Sequence, residues 1–355
     1  MGLFTEFSYP EKSERQAYAE ILEQIVLADR LGYDFFSTTE SFGKDEFSCS
    51  PFPLGLYVAA AQQAARIRFL TGIISVPLHH PAILASQIAA ADLLTEGRIM
   101  MGLGRGHPWV LNRVGVDPAE SPARFVEGIR MLVEIFRSTY IENSQGTFWR
   151  ISDFKLSPAP LQEPHPPLYV AAATTPDSAI FAGEIGQGLV QPGYLGISLG
   201  LVRDLTSRYR QTLPDGKSDV ILGIHLHVAR DRDEAIRNGA FALATQSQVF
   251  LRSSAQRQRL SGEKEAYATK SESRRAFENL SEPEKARRAV TEESPNIMAV
   301  WGTPDECIQR ISYYVDSIRP EQLMLNIACG SLAQEKILNS MRLCAEEILP
   351  SLREL

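Results

Sequence analysis

Between Arg98 and Phe125 the chain reads RIMMGLGRGHPWVLNRVGVDPAESPARF. An apolar run, Ile99-Met100-Met101, empties into Gly102-Leu103-Gly104-Arg105-Gly106, and a second arginine, Arg124, follows 19 residues after the first. Glycines let backbone N–H groups approach an anion closely, and an arginine at a strand end adds a fixed cation. This is phosphate-binding chemistry, with Gly104, Arg105 and Arg124 as its candidate residues. A second anion signal is Thr174-Thr175-Pro176-Asp177-Ser178. A hydroxyl followed by Pro marks a helix start, where N–H groups and the helix dipole attract negative charge. Alone this reads equally well as simple capping. Together with Arg105 and Arg124, a phosphate site is the better reading.

Other residues invite a chemical reading beside a plain one. His80 precedes Pro81 in SVPLHHP. It suits proton transfer, since imidazole titrates near neutral pH, or a hydrogen-bonded structural role. His225 and His227 alternate and share one strand face, but with no carboxylate or cysteine nearby they do not make a metal site. Trp109 and His107 could wall a substrate pocket or simply pack. GLGRG is not GxGxxG and no acidic residue follows at the spacing of a nicotinamide-binding fold. No GxSxG, HExxH or P-loop is present.

These residues sit where short apolar runs end. Eight such runs predict strands: Leu3–Ser8, Tyr33–Thr38, Ile67–Ile74, Ile99–Gly104, Leu168–Ala172, Leu189–Gln191, Val220–Val228 and Gln322–Ile327. Each is followed by a stretch that can be helical. The first helix aligns Ala17, Ile21, Ile25 and Ala28; the last aligns Ile337, Met341, Cys344 and Ile348. Near-continuous apolar strands imply a parallel sheet buried on both sides. Eight strand–helix units in 355 residues favour a (β/α)8 TIM barrel, one domain over 1–355, above an open doubly wound sheet. Function in such a barrel collects at the strands' C-terminal ends.

Two segments depart from a bare barrel. Thr147–Glu163, aromatic and Pro-rich, predicts a hairpin or extended excursion before the fifth strand. Residues 245–296 are polar and form a helical insertion before the eighth strand, read either as a surface linker or as a lid over the mouth. Composition narrows the partners. A net charge of -7 with no basic stripe argues against nucleic acid. Four scattered cysteines without a CxxC pair read as reduced thiols of a cytoplasmic protein. The N-terminus lacks a signal-peptide pattern, and no apolar run approaches 18 residues, so no membrane span is expected. Apolar helix faces in Pro53–Ala65 and Pro81–Leu94 suit a homodimer.

The succession TTESF, SVPLHHP, LLTEGRIMMGLGRG and GVDPAESPARF resembles the bacterial luciferase-like flavin monooxygenases. VAAATTPDSAIFAGEIGQG, GTPDECIQRI and RLCAEEILPSLR extend the resemblance over nearly the whole chain. It implies a TIM barrel that binds FMN or, in a sister branch, the deazaflavin F420 at the C-terminal mouth. By position, Arg105 and Arg124 match the family's phosphate-binding arginines. Thr174, Thr175 and Ser178 match its backbone and hydroxyl contacts to that group. Gly72, Ile73 and Ile74 match the strand end along the flavin ring, where the family often has a non-prolyl cis peptide. Many members carry Glu-His-His after the second strand; here the sequence is Glu40-Ser41-Phe42.

The resulting expectation is a monooxygenase using O2 and reduced FMN supplied by a separate flavin reductase. Its substrate would be a small hydrophobic organic molecule. Glu40 and His80 would be the polar groups nearest the ring edge, and Phe42, Trp109 and Tyr194 would shape the substrate pocket. The alternatives are an F420-dependent hydride-transfer enzyme and a non-catalytic flavin-binding or partner subunit.

Overall fold

A computed structural model describes residues 1–7, 12–43, 48–138, 140–193, 197–261, 278–291 and 298–354. The chain opens with β1 (Gly2–Thr5), α1 (Glu14–Leu31), β2 (Phe35–Thr38), α2 (Pro53–Ala61) and β3 (Arg68–Thr71). Next come β4 (Ile74–Ser75), α3 (Pro81–Leu94), β5 (Ile99–Gly104), α4 (Pro108–Arg113) and α5 (Ser121–Ser138). The hairpin β6 (Tyr140–Gln145) and β7 (Arg150–Lys155) precedes β8 (Leu168–Ala171), α6 (Pro176–Glu184), β9 (Gly188–Gln191) and α7 (Leu199–Thr212). The last third holds β10 (Val220–Val228), α8 (Arg232–Ser261), β11 (Ala299–Gly302) and β12 (Gln322–Ala328).

Eight strands pair in parallel in the order β1, β2, β3, β5, β8, β9, β10, β12, and β12 returns to β1. The sheet therefore closes into a TIM barrel, and all eight predicted strands are its staves. One side chain from each stave fills the lumen: Phe4, Phe35, Leu70, Met100, Tyr169, Val190, Ile221 and Met324, none more than 4% exposed. Alternate residues face outward onto the helices, so Leu3, Phe36, Phe69, Met101 and Val170 join the larger core. The predicted faces of the first and last helices are buried in that core. At the N-terminal end of the barrel, Tyr169 donates to Asp219 Oδ2 at 2.7 Å and accepts from Gln322 Nε2 at 3.0 Å.

The sequence reading needs three corrections of placement. The hairpin begins at Tyr140, ahead of the expected Thr147, because only Ile141 in YIENSQ is buried and the run carries no core pattern. The polar segment has no start at 245, since α8 runs unbroken from Arg232 to Ser261. A further helix covers Pro283–Thr291, and much of the remaining segment lies outside the described residues. The four-residue β11 was not anticipated; it pairs with the upper part of β10, His225 to Val228. Among the described residues, no helix is long and apolar enough to cross a membrane.

The glycines after Met101 are shaped chiefly by packing against the third stave. A Cβ on Gly102 would lie 2.1 Å from the Thr71 carbonyl oxygen, and one on Gly104 would lie 2.8 Å from Ile73. Gly72–Ile73 is a cis peptide, after which β4 pairs with Leu103 and Gly104. The end of β3 thus nests into the glycines that lead to Arg105. Gly102→Ala places a methyl group against backbone that has no room to yield, and should cost about 1–3 kcal/mol. Urea unfolding checks this; an unchanged midpoint would contradict the packing account.

Candidate functional site at the barrel mouth

Arg105 follows the last residue of β5, and Thr175 is the N-cap of α6 on the neighbouring stave. The Arg105 Nη2 donates to Thr175 Oγ1 at 2.6 Å. The Thr175 hydroxyl makes no capping bond to its own helix, so the capping reading of this motif does not describe its side chain. Arg105, Thr174 and Thr175 are partly exposed, whereas Ser178 is buried one turn into α6. A guanidinium, a hydroxyl and a helix N-terminus thus converge at an accessible spot, a donor set suited to a phosphate. Ser121 Oγ donates to the Arg105 carbonyl at 3.0 Å and pins the first turn of α5 beside it. Arg124, one turn on, pairs with Glu120 Oε2 at 2.9 Å and lies 4.3 Å over the Phe148 ring. Of the two expected arginines, only Arg105 is seen to touch the α6 start.

Across the mouth, Glu40 sits just beyond β2 and is buried. Its Oε2 accepts from the Ser75 N–H at 2.8 Å, and its Oε1 lies 2.9 Å from His79 Nε2. That carboxylate ties the ends of β2 and β4 together. His80 points elsewhere: its Nδ1 accepts from Ala82 N–H at the start of α3, and its Nε2 is 3.3 Å from the Arg150 carbonyl. The imidazole beside Glu40 belongs to His79, the neighbour of the residue singled out from sequence. The short 3-10 turn Val76–Leu78 separates β4 from the pair and sets which ring turns inward.

Gly72 and Ile73 keep partial exposure, while Ile74 is buried in the outer core. Phe42 is near His79, with ring centroids 6.2 Å apart. Trp109 is buried at the start of α4, stacked on His107 at 4.2 Å and met edge-on by Phe250 of α8 at 5.2 Å. Tyr194 lies outside the described residues. Sequence reasoning missed His79, Phe250 and a buried pair, Glu6 with Gln246. The strand rule could have found Glu6, a lone carboxylate at the end of an apolar run. Nothing in the sequence links it to Gln246, 240 residues away. Among the described residues, no group of three or more His, Cys, Asp or Glu is placed to hold a metal ion.

With this geometry in view, comparisons with known proteins are informative. The family model described as luciferase-like monooxygenase matches residues 1–319. Over 190 residues the chain is 31% identical to the flavin-dependent trigonelline monooxygenase, oxygenase component, of Acinetobacter baylyi, a match spanning 52% of each chain. It is 25% identical to the F420-dependent glucose-6-phosphate dehydrogenase of Amycolatopsis mediterranei, with 98% of both chains covered. Among solved structures, the monooxygenase RslO1 from Streptomyces bottropensis superposes with a TM-score of 0.79 at 28% identity, covering 99% of each chain. The FMN complex of the 3,6-diketocamphane monooxygenase oxygenating constituent from Pseudomonas putida shares the fold, with a TM-score of 0.74, 20% identity, and 99% of this chain and 98% of that one covered. A match of this extent to the family model, on a closed barrel with this mouth, makes the chain a member of the luciferase-like monooxygenase family.

Proposed function

We propose that the protein is an FMN-dependent monooxygenase that receives reduced flavin from a separate reductase and oxygenates a small hydrophobic substrate with O2. The observation that carries this reading is the Arg105–Thr175 contact at the α6 start, on the β5–β8 side of the mouth, where it would cradle a phosphate. The donor chemistry fits a flavin mononucleotide. Arg105, Thr174, Thr175 and Ser178, with Gly104 and Arg124 alongside, would hold the phosphate. Gly72 and Ile73, which keep some exposure where Ile74 does not, would lie under the ring. When bound and reduced, the flavin supplies the electrons for O2 chemistry.

The protein's part is to bind, orient and keep water out. Glu40 holds the Ser75 amide and the His79 ring, which would lie at the edge of the flavin ring. His79 is the candidate to hold or move a proton there, and His80 supports it indirectly by starting α3. Phe42, Trp109 and Phe250 present aromatic faces toward an apolar substrate. Much of the segment 245–296, read from sequence as a linker or a lid, lies outside the described residues. The similarity to the oxygenase component of the Acinetobacter trigonelline monooxygenase supports a two-component scheme. The full-length similarity to an F420-dependent dehydrogenase supports the second reading, hydride transfer to or from F420 on the same barrel.

A homodimer through α2 and α3 is also proposed, because Phe52, Ile83 and Leu94 there are each more than half exposed. Light scattering should return twice the 39.4 kDa chain mass, and Ile83→Lys with Leu94→Lys should return the monomer. A monomeric wild-type protein would end that proposal. For the cofactor, titrations with FMN and with F420 followed by absorbance should show FMN binding the more tightly. Arg105→Ala should weaken FMN at least tenfold, through loss of a charge-assisted contact worth roughly 1.5–3 kcal/mol. Unchanged FMN affinity would remove Arg105 from the site, and preferential F420 binding would favour the second reading.

A further inference from the structure

The end of β1 and the middle of α8 meet over the barrel. Along β1 the side chains alternate: Phe4 lies in the lumen, and the Thr5 hydroxyl donates to Gln24 of α1 at 2.8 Å. Phe7 packs edge-on against Tyr18 of α1, with centroids 4.6 Å apart. Glu6, between two outward residues, is directed to the lumen side and is 1% exposed. It accepts a hydrogen bond from Gln246 Nε2 of α8. One residue before Gln246, Thr245 Oγ1 accepts from the Ser331 N–H beyond β12 at 3.0 Å. One turn after it, Phe250 reaches Trp109. The helix therefore crosses from the β12 side of the mouth to α4, and Glu6 is its contact midway.

Among the described residues this contact leaves two buried atoms without a hydrogen-bond partner, Glu6 Oε2 and Gln246 Oε1. Both can only accept while the carboxyl is ionised, and they belong to side chains already joined by one hydrogen bond. A proton on Glu6 turns one of these atoms into a donor and gives the other something to accept. Beyond the Gln246 N–H, no ion pair to Glu6 is seen among the described residues, and a buried unpaired charge is costly. Cys329 beyond β12 is a thiol that burial holds well above its usual range, and Thr39, just beyond β2, donates its hydroxyl to the Glu6 carbonyl. On β10, His227 is lowered to about 4 by burial and by Lys336, so it is neutral as well.

We propose that Glu6 carries a proton in the folded protein, and that its neutral carboxyl–carboxamide pair with Gln246 positions α8, and with it Phe250, over the barrel mouth. Nothing in this depends on the cofactor, so the apo-protein tests it and the flavin reading stands or falls separately. Burial raises the Glu6 carboxyl from its usual 4.5 to about 8. With the folded value the higher one, the contribution of the pair is full below about 4.5. It falls as pH rises, and is gone above about 8.

The experiment is amide hydrogen exchange by mass spectrometry on peptides within residues 240–252, from pH 5.5 to 9, corrected for intrinsic rates. Wild-type exchange should quicken by up to about tenfold per pH unit and level off above pH 8. Glu6→Gln keeps a pairing partner without the titrating proton and should give a flat profile. Glu6→Ala should exchange fast at every pH. A flat wild-type profile overturns the proposal by itself, even if neither variant folds. A Glu6→Gln profile that rises like wild type, or Glu6→Ala exchange as slow as wild type at pH 6, overturns it too.

Discussion

Eight side chains, one from each stave, fill the barrel lumen beneath the mouth, and the largest are Tyr169, Phe4 and Phe35. They make the lower lumen a dry plug, held in place by parallel pairing that runs from β1 around to β12 and back. Below the plug the Tyr169 hydroxyl is tied to Asp219 and Gln322, and the other end of the lumen opens where the strands end and loops and helices arrive. Glu6, Glu40 and Arg105 all stand at this level. Their separation around the rim follows from which stave each one ends. The chemistry at the mouth is therefore distributed by barrel closure, not by any local motif.

The rim has two sides with different character. On the β5–β8 side, Arg105 and the α6 start gather positive potential at an accessible point. On the β1–β12 side, Glu6 is buried against Gln246 of α8, and Thr245 of the same helix meets the Ser331 N–H. Between them, Glu40 links β2 to β4 through the Ser75 amide, and the glycines of β5 accept the bulk of Thr71 and Ile73. A cofactor with a charged tail and a flat ring suits this asymmetry, since its tail would seek the cationic side and its ring the apolar floor.

The staves were legible in the sequence because a strand buried on both sides must be apolar throughout, and runs such as VILGIHLHV can be little else. Arg105 was legible for a related reason: a cation ending such a run has to sit at the rim. Illegible features share a different physics. The strand AVWG is too short to carry a period, and Tyr140–Gln145 buries a single side chain. His79 and His80 are adjacent and chemically identical, so only the backbone turn before them decides which meets Glu40. Glycines before an arginine suggest room for a ligand, whereas Gly102 and Gly104 make room first for the chain's own third stave. Glu6 acquires its meaning from Gln246, and no local pattern reports a contact across that much chain.

The central claim is that the β5–β8 side of the mouth is the phosphate end of a flavin site. A crystal structure of the protein soaked with FMN tests it most directly. The account predicts the phosphate within hydrogen-bond distance of the Arg105 guanidinium and Thr175, with the ring lying along Gly72 and Ile73. A phosphate bound instead beyond β10 and β12, where many other barrels hold one, would contradict it.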